Sequence, residues 1–542
     1  MRSVPLQALA LLGLLLPAAG RAEVASTTTT TPRFAVSLPT GTAPASGRLL
    51  IFASEAGAAR AAAKDGQVDA VDANPFRGTR TAVAAREVDR IEAGTVVPVD
   101  GDEQAWPAFS TLPAGDYLVQ AVLDVDHSYA YSGRGAGDLV GPVTRVHLPA
   151  AGAIALALGP ALASRDPWDL PAGRFGPAVE KSLAQAKAHC RPLAFASPAL
   201  TAFWGRPVTM RGWVLLPPGY ADGKQRYPTV YFTHGFGANA DSLTGYAASV
   251  YAAMADGRMP AMIWVFLDQS SPTGTHEFAD SVNNGPWGRA LTTELIPALE
   301  SRYRMDARPS GRFLNGHSSG GWATLWLQVR YPKVFGGTWS TAPDPSDFHD
   351  FTGVDLYAPG ANVYRRADGT PYPLVRDHAR VLGTFEDFAR LERVLGAYGG
   401  QMASFEWVFS PRGADGRPLP MFDRDTGAVD PQVAAYWREH YDIAARLQRH
   451  WPALKPDLDG KIHLIVGSAD TFYLDGAAHR LKAVLDGLGA HAEVRFVPER
   501  THFDLYQIGE DRQGLLSEIA WAMYALARPG SQRPQAAPAS GG

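Results

Sequence analysis

The chain has 542 residues, nearly half of them hydrophobic, with a net charge of −4 and no stretch that concentrates Lys and Arg. At roughly 100–200 residues per domain, this length implies two or three units. The charge balance speaks against nucleic acid as a partner, and the single cysteine, Cys190, excludes an intrachain disulfide and any multi-thiolate zinc site.

Residues 1–22 carry Arg2, a short apolar run from Ala8 to Leu16, and the small-residue stretch Pro17-Ala18-Ala19-Gly20-Arg21-Ala22. That pattern predicts a secretory signal cut after Ala22, hence a periplasmic or secreted protein. The run falls short of the about 20 apolar residues of a membrane span, so no stable membrane anchor is expected. Five threonines in residues 26–32 read as a flexible leader. Over residues 33–162 short β-type runs recur, among them Arg48-Leu49-Leu50-Ile51-Phe52 and Tyr117-Leu118-Val119-Gln120-Ala121-Val122-Leu123, bounded by Gly, Pro and Asp. They predict an all-β sandwich. Asp124, Asp126, His127, Tyr129 and Tyr131 form a polar, aromatic loop there, read as an ordinary exposed loop rather than a sugar or ion contact. Residues 163–206 read as a linker with one helix near 179–187.

Residues 207–527 alternate apolar strands with helices, which predicts a doubly wound, mostly parallel α/β sheet covered on both faces. Strands are expected around 208–216, 229–233, 262–267, 335–340, 462–466 and 494–497, with a closing helix at 515–527. The segment at about 341–460 interrupts this alternation and carries Trp407, Phe409, Tyr436, Trp437, Tyr441 and Trp451. Loops of that length are functional or carry structure of their own, so an inserted cap over the site is expected, with most of the aromatics serving a private core. Residues 528–542 read as a disordered tail.

The chemistry centres on Gly316-His317-Ser318-Ser319-Gly320. Apolar residues precede it and a helical run follows, the strand–turn–helix context of a nucleophile elbow with Ser318 at its tip. A serine hydroxyl needs a base, and the base needs an orienting acid, in the chain order Ser, Asp, His. Asp470 follows the strand at 462–466, and His502 follows the strand at 494–497. Asp344 and Asp475 are rival acids. The amide of Ser319 and that of Phe236, in Thr233-His234-Gly235-Phe236-Gly237, are the expected oxyanion donors, with Gly237 the fallback. His234, His317, His276 and Trp287 are candidate substrate contacts. No His-Glu-x-x-His occurs, so no metal site is expected.

With these motifs in place, residues 207–527 resemble the Putative esterase family, which holds esterase D, feruloyl and enterochelin esterases and the mycobacterial mycolyltransferases. Gly467-Ser468-Ala469-Asp470-Thr471-Phe472-Tyr473-Leu474-Asp475-Gly476 is similar to the acid segment of esterase D and favours Asp470. The resemblance implies an α/β-hydrolase fold and ester hydrolysis without metal or cofactor. The expected protein is an exported serine carboxylic-ester hydrolase acting on a small-molecule or polysaccharide-linked ester. The alternatives are an acyltransferase of the same fold or a catalytically inert binding protein. The insertion, the β-domain and the leader depart from the cytosolic formaldehyde-detoxifying members.

Overall fold

The computed structural model describes residues 32–74, 81–127, 134–170, 176–396 and 400–531. The expected signal, Tyr129, Tyr131 and most of the expected tail lie outside them.

Near the N-terminus, two sheets face one another. A three-stranded sheet orders Val96–Asp100, Arg33–Ser37 and Ile154–Ala157, and a larger one is built on Ala82–Ile91, Ala45–Glu55 and Gly115–Asp124. Phe34, Val36, Leu49, Ile51, Val119 and Leu123 fill the space between them. The alternate residues Leu50, Phe52 and Val122 point the other way into the main core of the molecule. The run Leu49–Phe52 is continuously apolar for this reason: both faces of its strand are buried. Ala82–Ile91 was not expected as a strand, because Arg86, Glu87, Asp89 and Arg90 break its apolar pattern. Its conformation comes from pairing with Ala45–Glu55 and with Trp106 rather than from propensity.

The main sheet has eight strands: β1 (Cys190–Ala196), β2 (Thr209–Leu215), β3 (Thr229–Thr233), β4 (Ile263–Leu267), β5 (Arg312–His317), β6 (Gly337–Thr341), β7 (Ile462–Gly467) and β8 (Ala492–Val497). Their order is β1-β2-β4-β3-β5-β6-β7-β8, and β3 to β8 run parallel. This is the α/β-hydrolase sheet. Side chains alternate strictly between two cores. Val230, Phe232, Trp264 and Phe266 enter one, while Tyr231, Ile263, Val265 and Leu267 enter the other, as a pleated strand requires. The expected linker reaches into this sheet: its helix runs Pro177–His189, and its last third supplies β1. Pro192 lies in β1, a position open to proline because β1 is an edge strand. Cys190 is buried there, and burial pushes its thiol up to about 12, consistent with an inert packing role.

The insertion between β6 and β7 folds as a hairpin (Pro373–Asp377 and Arg380–Thr384) followed by α1 (Phe385–Leu395), α2 (Gln401–Phe409), α3 (Pro431–His440) and α4 (Ile443–Leu458). Thr384 and Asp387 cap α1 reciprocally. Arg48 of the N-terminal sheet donates from Nε (2.9 Å) and Nη2 (2.6 Å) to the Val394 carbonyl at the end of α1. The insertion therefore joins the two halves of the molecule. Its aromatics pack inward as one cluster: Trp437 touches Phe348, Phe351 and Phe409, and Phe409 reaches Trp322 in the helix after Ser318. Trp437 is fully buried, and its Nε1 donates to Ser410 Oγ. Trp437→Ala should cost about 3–5 kcal/mol, read as a lower urea midpoint. Val381→Ala, at an exposed position, should stay within about 0.5 kcal/mol of wild type.

Candidate functional site

β5 ends at His317, and Ser318 follows with φ 61° and ψ −128°, a conformation costly for any residue with a Cβ. The helix Ser319–Arg330 starts at the next residue. Crowding explains the neighbouring glycines. A Cβ on Gly316 would lie 2.2 Å from the Gly320 carbonyl oxygen, and one on Gly320 would lie 2.4 Å from that of Thr233. The elbow thus presses against the end of β3, and the turn after β3 passes over the serine. A Cβ on Gly235 would meet Ser318 Cβ at 3.0 Å and Oγ at 3.5 Å. The Gly235–Phe236 backbone and the first turn of the helix accordingly flank Ser318. Its side of the sheet carries the helix's unpaired N–H groups and positive dipole end.

Asp470 sits three residues past β7 and is completely buried. Its Oδ1 accepts from the amides of Phe472 (2.9 Å) and Leu474 (3.3 Å), and its Oδ2 meets His502 Nδ1 at 2.9 Å. Burial by itself would raise this carboxyl. The charge and hydrogen bond of His502, with the two amides, outweigh that and hold it below the usual carboxylate range. An ionised Asp470 requires the proton on His502 Nδ1, which leaves Nε2 free to accept one. His502 in turn is tied to the elbow, because His317 Nε2 donates to the His502 carbonyl (3.0 Å) and the two rings lie 4.4 Å apart. Asp475 is turned elsewhere, accepting from Arg376 Nη2 at 2.7 Å. Asp344 bonds to Ser319 rather than to a histidine.

The four candidate substrate contacts are redirected by the geometry. His234 is buried and wedged between the Gly235 carbonyl (2.8 Å), Asp268 Oδ1 (3.1 Å) and the Gln269 amide (3.0 Å), so it braces the turn. His317 braces the His502 loop; burial, then the charge of His502, lowers it to about 3, so it stays neutral. His276 is fully buried and stacks on Trp287 at 3.5 Å, and burial likewise lowers it to about 3. Trp287 Nε1 donates to the Asn284 carbonyl. Each of the four thus has protein partners of its own.

Three supporting residues were not singled out from the sequence. Arg376, in the insertion's hairpin, donates from Nε to the Asp470 carbonyl (2.8 Å). Tyr506 Oη lies 2.6 Å from Thr341 Oγ1 beside His317. Glu277 is fully buried, with φ 49°. Arg376 and Tyr506 belong to no motif; Glu277 directly follows the candidate contact His276, yet nothing marked it out. Among the described residues, Asp347, His349 and Asp442 form one cluster spaced to share a cation, and Asp124, Asp126 and Asp138 form another. Neither includes Ser318, Asp470 or His502.

The contacts at Gly320 make a sharp prediction. Gly320→Ala must push Cβ into the Thr233 carbonyl and open the elbow, so soluble expression or any turnover of p-nitrophenyl acetate should be lost. Gly487→Ala, where a Cβ meets nothing, should leave both intact in the same activity assay.

The Putative esterase family matches residues 206–486, just over half of the chain. An endo-1,4-beta-xylanase/feruloyl esterase of Xylanibacter ruminicola is 31% identical over 130 residues, covering 23% of this chain and 18% of the relative. An esterase of Mycobacterium tuberculosis is 26% identical over 147 residues, covering 26% of this chain and 31% of the relative. The chain thus spans less than a third of the length of either curated relative. A solved S-formylglutathione hydrolase from Agrobacterium tumefaciens has a TM-score of 0.35 at 14% identity, covering 62% of this chain and 94% of that one. The chain belongs to the Putative esterase family and has the α/β-hydrolase fold.

Proposed function

We propose that Ser318, His502 and Asp470 carry out ester hydrolysis, with the Ser319 and Phe236 amides as oxyanion donors. The observation that carries this reading is the buried His502–Asp470 pair at 2.9 Å, tied through His317 to the strained serine. Ser318 Oγ attacks the ester carbonyl while His502 Nε2 takes its proton, and the carbonyl oxygen becomes an oxyanion between the two amides. When the C–O bond breaks, His502 returns the proton to the leaving alcohol and an acyl-enzyme remains. Water then repeats the sequence, its proton passing to His502 and back to Ser318. Asp470 keeps the imidazole in the required tautomer and stabilises the imidazolium without accepting the proton.

The substrate we propose is an ester with an aromatic acyl group, free or linked to polysaccharide. Phe503, directly after His502, is 66% exposed and lies edge-on to Phe472 at 5.8 Å. An exposed Phe beside the proposed base offers a stacking surface, and one matched relative is named a feruloyl esterase. Export is part of the same proposal and rests on the composition of residues 1–22. Among the described residues no helix is long and apolar enough to cross a membrane.

A fluorophosphonate probe should label Ser318 in the wild type and nothing in Ser318→Ala. That variant should lose on the order of 10³-fold or more in kcat on p-nitrophenyl acetate while its denaturation midpoint holds. Near-normal turnover by Ser318→Ala would refute the assignment.

A further inference from the structure

Building on the assignment of Ser318 as nucleophile, we infer that Asp344 is a positioning residue of the oxyanion hole, acting on the substrate oxygen only through the Ser319 backbone amide. Asp344 lies three residues past β6, after Ala342, whose φ of 38° turns the chain beneath the elbow. Its amide donates to the Ser318 carbonyl at 3.3 Å. Its Oδ2 accepts the Ser319 hydroxyl proton at 2.6 Å, and both side chains are buried. The Ser318 carbonyl and the Ser319 N–H belong to one planar trans peptide and point in opposite directions. A donor fixed on that carbonyl and an acceptor fixed on the Ser319 side chain therefore set the plane, and with it the aim of the N–H at a developing oxyanion. Aim matters because an oxyanion donor acts by being in place before the charge appears.

Asp344 is poorly placed to serve His502 as its acid. His502 Nδ1 already meets Asp470, and the bonded oxygen of Asp344 is committed to Ser319. The charged groups whose fields reach Asp344 are Glu277, His502 and Asp470. Burial raises Asp344 to about 6 against the opposing pull of Ser319 and His502. Burial, then repulsion by Asp344, pushes Glu277 far above the carboxylate range. Glu277 Oε2 has no hydrogen-bond partner among the described residues. Glu277 and Asp344 thus repel one another when charged, and Asp344 is an acceptor for the Ser319 hydroxyl.

Asp344→Ala and Ser319→Ala should each lower kcat on p-nitrophenyl acetate by about 10- to 100-fold, with KM moving less than about threefold. The double variant should fall no further than the worse single one, since both remove the same constraint. Asp344→Asn, whose Oδ1 can still accept the Ser319 proton, should recover most of the loss. Affinity for a methyl trifluoromethyl ketone, which forms an oxyanion on the serine, should fall in step with kcat. A kcat for Asp344→Ala within about threefold of wild type would overturn the inference. So would an Asp344→Asn as impaired as the alanine, because that would assign the negative charge itself to His502. If Asp344→Ala does not fold, Ser319→Ala, which removes one oxygen, decides alone. Fluorophosphonate labelling of Ser318 in all variants keeps the two claims apart: its failure in the wild type sinks the nucleophile assignment, not the role of Asp344.

Discussion

The structure depends on one constraint, a serine held at φ 61° where a strand turns into a helix. Such a conformation costs about 1–3 kcal/mol and persists only where the surroundings over-determine it. Here they do so from three sides. The amide of Ser318 donates to the Thr341 carbonyl, its own carbonyl accepts from Trp322 and Asp344, and the glycines at 316 and 320 let β3 and the helix close in. The serine is also not alone. Glu277 and Phe278 beyond β4, Ala342 beyond β6, Tyr473 beyond β7 and Glu499 beyond β8 all have positive φ without being glycine. Strain therefore collects along the carboxyl edge of the sheet, in the loops that carry Ser318, Asp344, Asp470 and His502.

What offsets that strain is the breadth of the core behind it. The insertion's aromatics do not line a mouth but run from Trp437 through Phe409 to Trp322, on the helix that begins at the elbow. The N-terminal sheet adds its outer face to the same core and grips the insertion through Arg48. Both additions to the hydrolase sheet thus stiffen it on the side where the helix after Ser318 is packed. The insertion also reaches the site directly, since Arg376 holds both the Asp470 carbonyl and Asp475.

How much of this was legible in the sequence follows from how local each signal is. The elbow, the acid loop and the histidine loop were readable because each is a strand followed within a few residues by a turn, and turn chemistry is written in neighbouring residues. The helix Phe385–Leu395 is local in the same sense, its apolar stripe and its Thr384–Asp387 cap lying together in sequence. By contrast, Ala82–Ile91 and Cys190–Ala196 take their conformation from partners far away in the chain. The four candidate substrate contacts pose a different difficulty. A histidine or tryptophan next to a site can face the substrate or brace a wall, and residue type does not distinguish the two. Only the partners do: Asp268 and Gln269 for His234, the His502 carbonyl for His317, and the stacked pair for His276 and Trp287.

The two aspartates show where such reading stops. Asp344 and Asp470 each stand three residues beyond a strand of the same sheet, each after a left-turning or tightly bonded loop, and both are buried within reach of the same imidazole's field. By position they are equivalent candidates for one role. Bonding separates them. Asp470 receives two backbone amides and an imidazole, which together hold a buried charge below its normal range, as a permanently ionised partner for histidine requires. Asp344 receives one hydroxyl and faces a second carboxyl, so its charge is poorly supported. Two residues of one type, at matching distances from parallel strands, are thus told apart by the number of protons pointed at them.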